Sequence, residues 1–159
     1  DEGGALPHEQ VSVLELAQEA ARSLTAQAAA QAVHISVTGI AGTVFGVRRL
    51  LYEIARNLCE NAVKYNVPGG SVTVEVAETD RDVTLLVRDT GIGIPQEMLS
   101  HIYDFGFSTK AAEGRGFGMS MIQNIVVRHD GTIDVDTEQG AGTTFTLIFQ
   151  IKRQKEGSQ

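Results

Sequence analysis

Four polar residues on one predicted helix carry the first chemical signal. Glu53, Asn57, Asn61 and Lys64 stand at i, i+4, i+8 and i+11, which a helix gathers into one strip about 80° wide. Leu51, Ile54, Ala55, Leu58 and Ala62 recur at helical intervals beside it and form a core face about 100° wide. Arg49, Arg56 and Glu60 fill a third, solvated face, and Leu50 falls one turn before the polar strip as its floor. An asparagine carboxamide ligates a hard cation through its oxygen and donates through its nitrogen. A lysine adds positive charge for phosphate. One acid, two amides and a lysine on one strip therefore suit a nucleotide phosphate tail with Mg²⁺. The plainer alternative is a polar surface strip held by i,i+4 pairs, and the helix alone does not decide between them.

Two glycine motifs lie downstream. DTGIGIP, residues 89–95, follows the end of an alternating strand. Its glycines let the backbone approach a ligand or take positive φ, and Asp89 there can accept from the exocyclic amine of adenine. A tight turn with a solvated aspartate is the alternative. GRGFG, residues 114–118, opens a helix. Backbone N–H groups at a helix N-terminus attract anions, and glycines keep them accessible. The run lacks the GK[ST] ending of a P-loop and no βαβ unit surrounds it, so a flexible glycine hinge is its alternative reading.

The elements that must position these groups follow from periodicity. Residues 11–30 are alanine-rich and amphipathic and read as one helix. Residues 33–37 alternate as a strand, residues 43–45 form a short strand, and the central helix covers 48–65. Residues 71–78 and 83–88 alternate as an antiparallel hairpin. Residues 98–103 read as a short helix, 104–115 as a loop and 116–130 as a helix. Strands 131–138 and 143–151 close the order. Helices are too few to cover both faces of a sheet. The expected architecture is α+β: a two-layer sandwich, a mixed sheet of about five strands with three main helices on one face.

The chain has 159 residues, about one domain. Residues 1–9 read as a linker remnant, 10–151 as the domain and 152–159 as a polar tail. Net charge of −7 argues against nucleic-acid binding, since phosphate backbones need a basic surface. The single cysteine, Cys59, excludes an internal disulfide framework and fits a reducing cytosol. No apolar run approaches a membrane span and no signal peptide opens the chain. It begins at Asp1 without methionine and reads as a piece of a longer protein.

The combination of motifs is more specific than any part. An asparagine-bearing helix, a strand ending in DxGxG, a phenylalanine-containing loop and GxGxG opening a helix together resemble the catalytic and ATP-binding domain of sensor histidine kinases. That domain has the Bergerat-type fold shared with DNA gyrase, Hsp90 and MutL. The resemblance covers residues 11–151. Glu53, Asn57, Asn61, Lys64 and Tyr65 match the N box, and Asp89, Gly91 and Gly93 the G1 box. Phe105 and Phe107 look like the F box. Gly114, Gly116 and Gly118, with Phe117 between them, match the G2 box.

By that resemblance Asn57 ligates Mg²⁺, Asn61 and Lys64 face the phosphates, Tyr65 packs on adenine and Asp89 reads its amine. Ile94 and Met119 are apolar walls, Thr144 shares the water network of Asp89, and residues 105–118 form a lid. Arg115 stands where many relatives carry a neutral residue and, like Lys110, can grip phosphate. The activity implied is transfer of the ATP γ-phosphoryl to a histidine on a separate dimerisation domain, with Glu53 orienting or deprotonating the acceptor. The implied partners are that domain, a response regulator and a second copy of the parent. The implied location is cytoplasmic, in a parent that membrane anchoring would also suit. A stand-alone ATPase module and an anti-sigma-factor-type serine kinase are the alternatives. The first needs a further transducer domain, and the second generally lacks the phenylalanine pattern.

Overall fold

Valine at every second position gives a strand one face for the core and one for water. In the computed structural model, which describes residues 6–102 and 119–151, that pattern builds the sheet. The element order is β1 (Glu9–Ser12), α1 (Val13–Ser23), α2 (Thr25–Ala30), β2 (His34–Gly39), β3 (Thr43–Gly46) and α3 (Arg48–Lys64). Then come β4 (Ser71–Glu78), β5 (Asp82–Asp89), α4 (Gln96–Leu99), α5 (Met119–Arg128), β6 (Gly131–Glu138) and β7 (Gly142–Gln150). Five strands pair in the order β2-β4-β5-β7-β6. Only β2 and β4 run parallel; the other neighbours are antiparallel.

Val72, Val74 and Val76 of β4, Val83, Leu85 and Val87 of β5, and Phe145, Leu147 and Phe149 of β7 share the inner face, each at most 6% exposed. The helices cover that face: α1 packs on β2 and β4, α3 on β4 and β5, and α5 on β6. Their buried stripes are Leu16, Ala17 and Ala20, then Ile54, Leu58 and Ala62, then Ile122, Ile125 and Val126. The α+β sandwich expected from the sequence is the fold observed. On the water face of α3, Arg56 and Glu60 form an i,i+4 ion pair of 2.9 Å.

The N-terminal region differs from expectation. Residues 11–30 are not one helix. Glu9–Ser12 pairs antiparallel with Thr43–Gly46 in a separate two-stranded sheet. The Oγ of Ser12 then accepts from the Glu15 N–H at 3.2 Å and starts α1. The helical run breaks at Leu24, whose φ of −106° and ψ of 7° leave the helix while its side chain enters the core at 1% exposure. The short helix expected at 98–103 instead spans Gln96–Leu99, set off by Pro95, whose φ of −58° suits a helix start.

Candidate functional site

The C-terminal half of α3 and the turn after β5 meet over the inner face of the sheet. Tyr65 caps α3, its N–H donating to the Asn61 carbonyl, and its own carbonyl accepts from the Ile92 N–H at 3.0 Å. Gly91 lies so close that a Cβ would stand 2.4 Å from the Tyr65 oxygen. Gly93 has φ +76°, and a Cβ there would meet the Glu138 carbonyl at 2.3 Å. The glycines of DTGIGIP thus let one turn wedge between the end of α3 and the β6–β7 hairpin. Asn66 fastens the wedge: its Nδ2 donates to the Ala62 and Ser71 carbonyls and its Oδ1 accepts from the Thr90 hydroxyl.

Asn61, Tyr65, Asp89, Gly93, Ile94 and Thr143 line one hollow, with Leu58, Ala62 and Phe145 as its apolar wall. Its volume is about 20 Å³, room for about one water, so a purine needs its walls to part. Larger hollows open elsewhere, including one of about 420 Å³ beside Leu16, Val47 and Tyr52. Convergence of polar groups on an apolar pocket, rather than size, marks the candidate site.

Asp89 is the chemically distinctive group of the hollow. Burial pushes its carboxyl up to about 6, against the pull of two backbone N–H donors, Gly91 and Thr143. The Gly91 N–H donates to Oδ1 at 2.8 Å. Thr143 pairs with Asp89 across β5 and β7, and its hydroxyl lies 2.8 Å from that of Thr137. Thr137 in turn accepts from the Ile94 N–H at 2.9 Å. A half-buried carboxylate beside hydroxyls and an apolar wall is suited to accept from an amine on a flat aromatic ligand.

Toward the N-terminal half of α3 the polar strip continues. The Nδ2 of Asn57 donates to the Glu53 carbonyl at 3.0 Å and to Glu53 Oε1 at 3.3 Å. These bonds turn the carboxamide nitrogen back along the helix. They leave its oxygen, the atom a hard cation prefers, outside the pair. Among the described residues no three His, Cys, Asp or Glu side chains cluster as a cation cage. Mg²⁺ is ordinarily held by one or two protein ligands with phosphate and water completing the shell, and the Asn57 oxygen fits that part. Glu53 also borders a hollow of about 590 Å³ against Ser120, Met121 and Asn124 of α5.

Not every expected residue joins the hollow. Lys64 is exposed, its ammonium 6.0 Å from the Tyr65 ring centre. Met119 is 1% exposed in the core and does not line the hollow. Thr144 pairs with Arg88, so strand alternation turns it to the sheet face opposite Asp89. Thr143 holds the position expected for it. Phe105, Phe107, Lys110, Gly114, Arg115, Gly116, Phe117 and Gly118 lie outside the described residues. Sequence reasoning missed Thr143, Thr137 and Asn66. The alternation of Phe145, Leu147 and Phe149 already places Thr143 on the inner face and Thr144 on the outer one; only the pairing of Thr143 opposite Asp89 depends on a register that one sequence does not state.

Known proteins match both the sequence and the shape. The family model described as histidine kinase-, DNA gyrase B-, and HSP90-like ATPase matches residues 46–153. The heme sensor protein HssS of Staphylococcus saprophyticus is 37% identical over 106 residues, covering 66% of this chain and 23% of that protein. The sensor histidine kinase ZraS of Escherichia coli is 38% identical over 101 residues, 64% of this chain and 22% of that protein. The chain therefore spans less than a quarter of the length of either relative. The catalytic domain of the histidine kinase ThkA superposes with a TM-score of 0.82 at 20% identity, over 91% of this chain and 98% of that one. The mycobacterial sensor histidine kinase MprB gives 0.81 at 24% identity, over 93% and 100%. Those structural likenesses establish the fold; the family match runs through the strip, the turn and Asp89, and by it the chain belongs to the histidine kinase-, DNA gyrase B- and HSP90-like ATPase family.

Proposed function

We propose that this chain is the ATP-binding catalytic domain of a two-component sensor histidine kinase. The observation that carries the reading is the half-buried Asp89 carboxylate facing a hollow walled by Asn61, Tyr65 and Ile94. Asp89 accepts from the 6-amino group of adenine, Tyr65 and Ile94 flank the base, and Thr143 and Thr137 hold water beside it. Asn61 and Lys64 face the phosphates. Residues 105–118 act as the lid, with Lys110 and Arg115 as its cations.

Asn57 supplies the protein ligand for Mg²⁺, which when bound offsets phosphate charge. The reaction is in-line attack by an acceptor imidazole nitrogen on the γ-phosphorus. An N–P bond forms, the P–O bond to the β-phosphate breaks, and ADP leaves. Glu53, already hydrogen-bonded to Asn57, orients the acceptor ring and takes its N–H proton. The acceptor sits on the parent's dimerisation domain, and the phosphoryl group passes on to a response regulator. The parent acts as a homodimer with this domain in the cytoplasm. No helix among the described residues is long and apolar enough to cross a membrane.

Calorimetry with Mg²⁺–ATP and Mg²⁺–GTP tests the reading. ATP is expected to bind with modest affinity, because the walls of the roughly 20 Å³ hollow must part to admit the base. GTP is expected to bind at least about tenfold more weakly, because it presents a carbonyl to the Asp89 carboxylate. Equal affinities, or no ATP binding by folded protein, would overturn the assignment.

A further inference from the structure

His129 directly follows α5 yet lies at the start of α3. Its Nδ1 sits 2.8 Å from the Ile125 carbonyl and its Nε2 is 3.1 Å from the Val47 amide nitrogen. The carbonyl can only accept and the amide can only donate. The ring therefore carries its proton on Nδ1 and accepts at Nε2. His129 is 8% exposed and Val47 is 6% exposed, so this bond is shielded from water.

Helix α3 has no local means of closing its own start. Val47 is its N-cap and has no side-chain oxygen to offer. Leu50 stands three residues on, where a capping box would place a glutamate to accept from the N-cap N–H. No acid lies in the first turn, and Arg48 and Arg49 there oppose the helix dipole. The missing acceptor comes from 82 residues away in the chain. Gly46 makes room for it: a Cβ there would stand 2.3 Å from His129 Cδ2 and 2.7 Å from Nε2. Gly46 is not among the positive-φ glycines, so the imidazole, rather than backbone strain, explains why the position has no side chain.

The bond joins the two helices that carry the nucleotide machinery. Helix α3 bears Asn57 and Asn61, and α5 follows directly on the GRGFG run; the two pack against each other. We infer that His129 is a positioning residue, tying the C-terminal end of α5 to the N-terminus of α3 and so holding the asparagine strip of α3 in register with α5. The inference rests on the ATP-binding reading for its functional consequence, while the tether itself is independent of it.

Two amide replacements separate the roles of the ring nitrogens. His129→Gln keeps an acceptor near the Nε2 position. His129→Asn has the shorter side chain, which reaches only the Nδ1 position and its i−4 carbonyl. The full 159-residue chain is used throughout, with folding checked by circular dichroism. His129→Asn is expected to weaken Mg²⁺–ATP about fivefold or more, as the loss of one buried hydrogen bond implies. It is also expected to speed Val47 amide exchange. His129→Gln is expected to restore both to within about twofold of wild type. Gly46→Ala, which displaces the ring while keeping the histidine, is expected to behave like His129→Asn and stands in for it if that variant does not fold. In the wild type, long-range ¹H–¹⁵N spectra should show Nε2 without a proton. A folded His129→Asn or Gly46→Ala variant with unchanged ATP affinity would overturn the positioning role. A protonated Nε2, or unchanged Val47 exchange, would overturn the tether. If the wild type itself bound no ATP, the nucleotide reading would fail while the Val47 exchange result still judged the tether.

Discussion

Asp89 is asked to be half-buried and to be charged, and these demands oppose each other. Burial raises its carboxyl to about 6 from an ordinary 3.8. The folded protein therefore holds this proton more tightly than the unfolded chain. The associated stability is fully present below the unfolded value and is lost as pH rises through about 6. At neutral pH the ionised carboxylate costs the fold on the order of 2–3 kcal/mol. Asp89→Asn removes that charge, and its amide oxygen remains an acceptor for the Gly91 N–H. Urea unfolding is expected to show the variant more stable by about 1–2 kcal/mol at pH 8 and equal to wild type near pH 4. A variant less stable than wild type at pH 8 would contradict this account. The same substitution is expected to abolish the preference for ATP over GTP, so stability and selectivity part at one residue. By the same logic, wild-type ATP binding is expected to weaken about tenfold between pH 7 and pH 5, as the accepting carboxylate is protonated. Cys59 is a contrasting case. Burial pushes its thiol up to about 12, and it acts as a small core residue of α3 rather than a reactive group.

At the scale of elements, the site is a turn wedged between a helix end and a hairpin, and its glycines have separable roles. Gly93 and Gly140 both have positive φ, +76° and +88°. A Cβ on Gly140 meets nothing within 4 Å, whereas one on Gly93 meets the Glu138 carbonyl at 2.3 Å. Gly140→Ala is therefore expected to cost about 1 kcal/mol, the conformational penalty alone. Gly93→Ala is expected to cost at least about 2 kcal/mol more, because backbone must shift as well. Urea titration of the pair checks the difference, and equal costs would mean that the wedge is not tight. Element by element, legibility in the sequence followed the strength of the local pattern. Helix α3 and strands β4 and β5 announce themselves through 3.6- and 2-residue periods with buried faces to match. Strand β1 does not, because in EQVS only Val11 is apolar and buried and the partner strand begins at Thr43. The start of α1 was legible as Ser12 followed three residues later by Glu15, a capping signature that the alanine-rich pattern around it obscured. The pairing of Thr143 with Asp89 and the bonds of Asn66 could not be read, since they depend on contacts between distant segments, although the alternation of β7 already turned Thr143 inward.

At the scale of the whole molecule, the question is where the phosphoryl group can go. The chain contains four histidines, and none is presented as an acceptor. His129 is buried and spends both ring nitrogens on backbone groups. His34 lies exposed on β2 at the sheet edge, two strands from β5 and its Asp89. His8 precedes β1 and stacks against Phe45 at 5.6 Å between ring centres. His101 follows α4 on an exposed turn. In-line transfer needs the attacking nitrogen within about 3–3.5 Å of the phosphorus on a group held in place, and none of these side chains lines the Asp89 hollow. The isolated chain is therefore expected to bind ATP without labelling itself, and to phosphorylate the proposed dimerisation domain when that domain is added. Incubation with γ-labelled ATP, followed by acid and base treatment, distinguishes phosphohistidine from phosphoserine. Stoichiometric acid-labile label on the isolated chain would overturn the expectation, and acid-stable label on an added protein would favour a serine kinase. With the dimerisation domain supplied, Asn57→Ala is expected to lower transfer by at least about a hundredfold, because it deletes the carboxamide assigned to Mg²⁺. Arg115→Ala is expected to reduce transfer by less. A guanidinium can contribute charge alone, whereas Asn57, whose Nδ2 is engaged by Glu53 and whose oxygen lies outside that pair, is the proposed Mg²⁺ ligand.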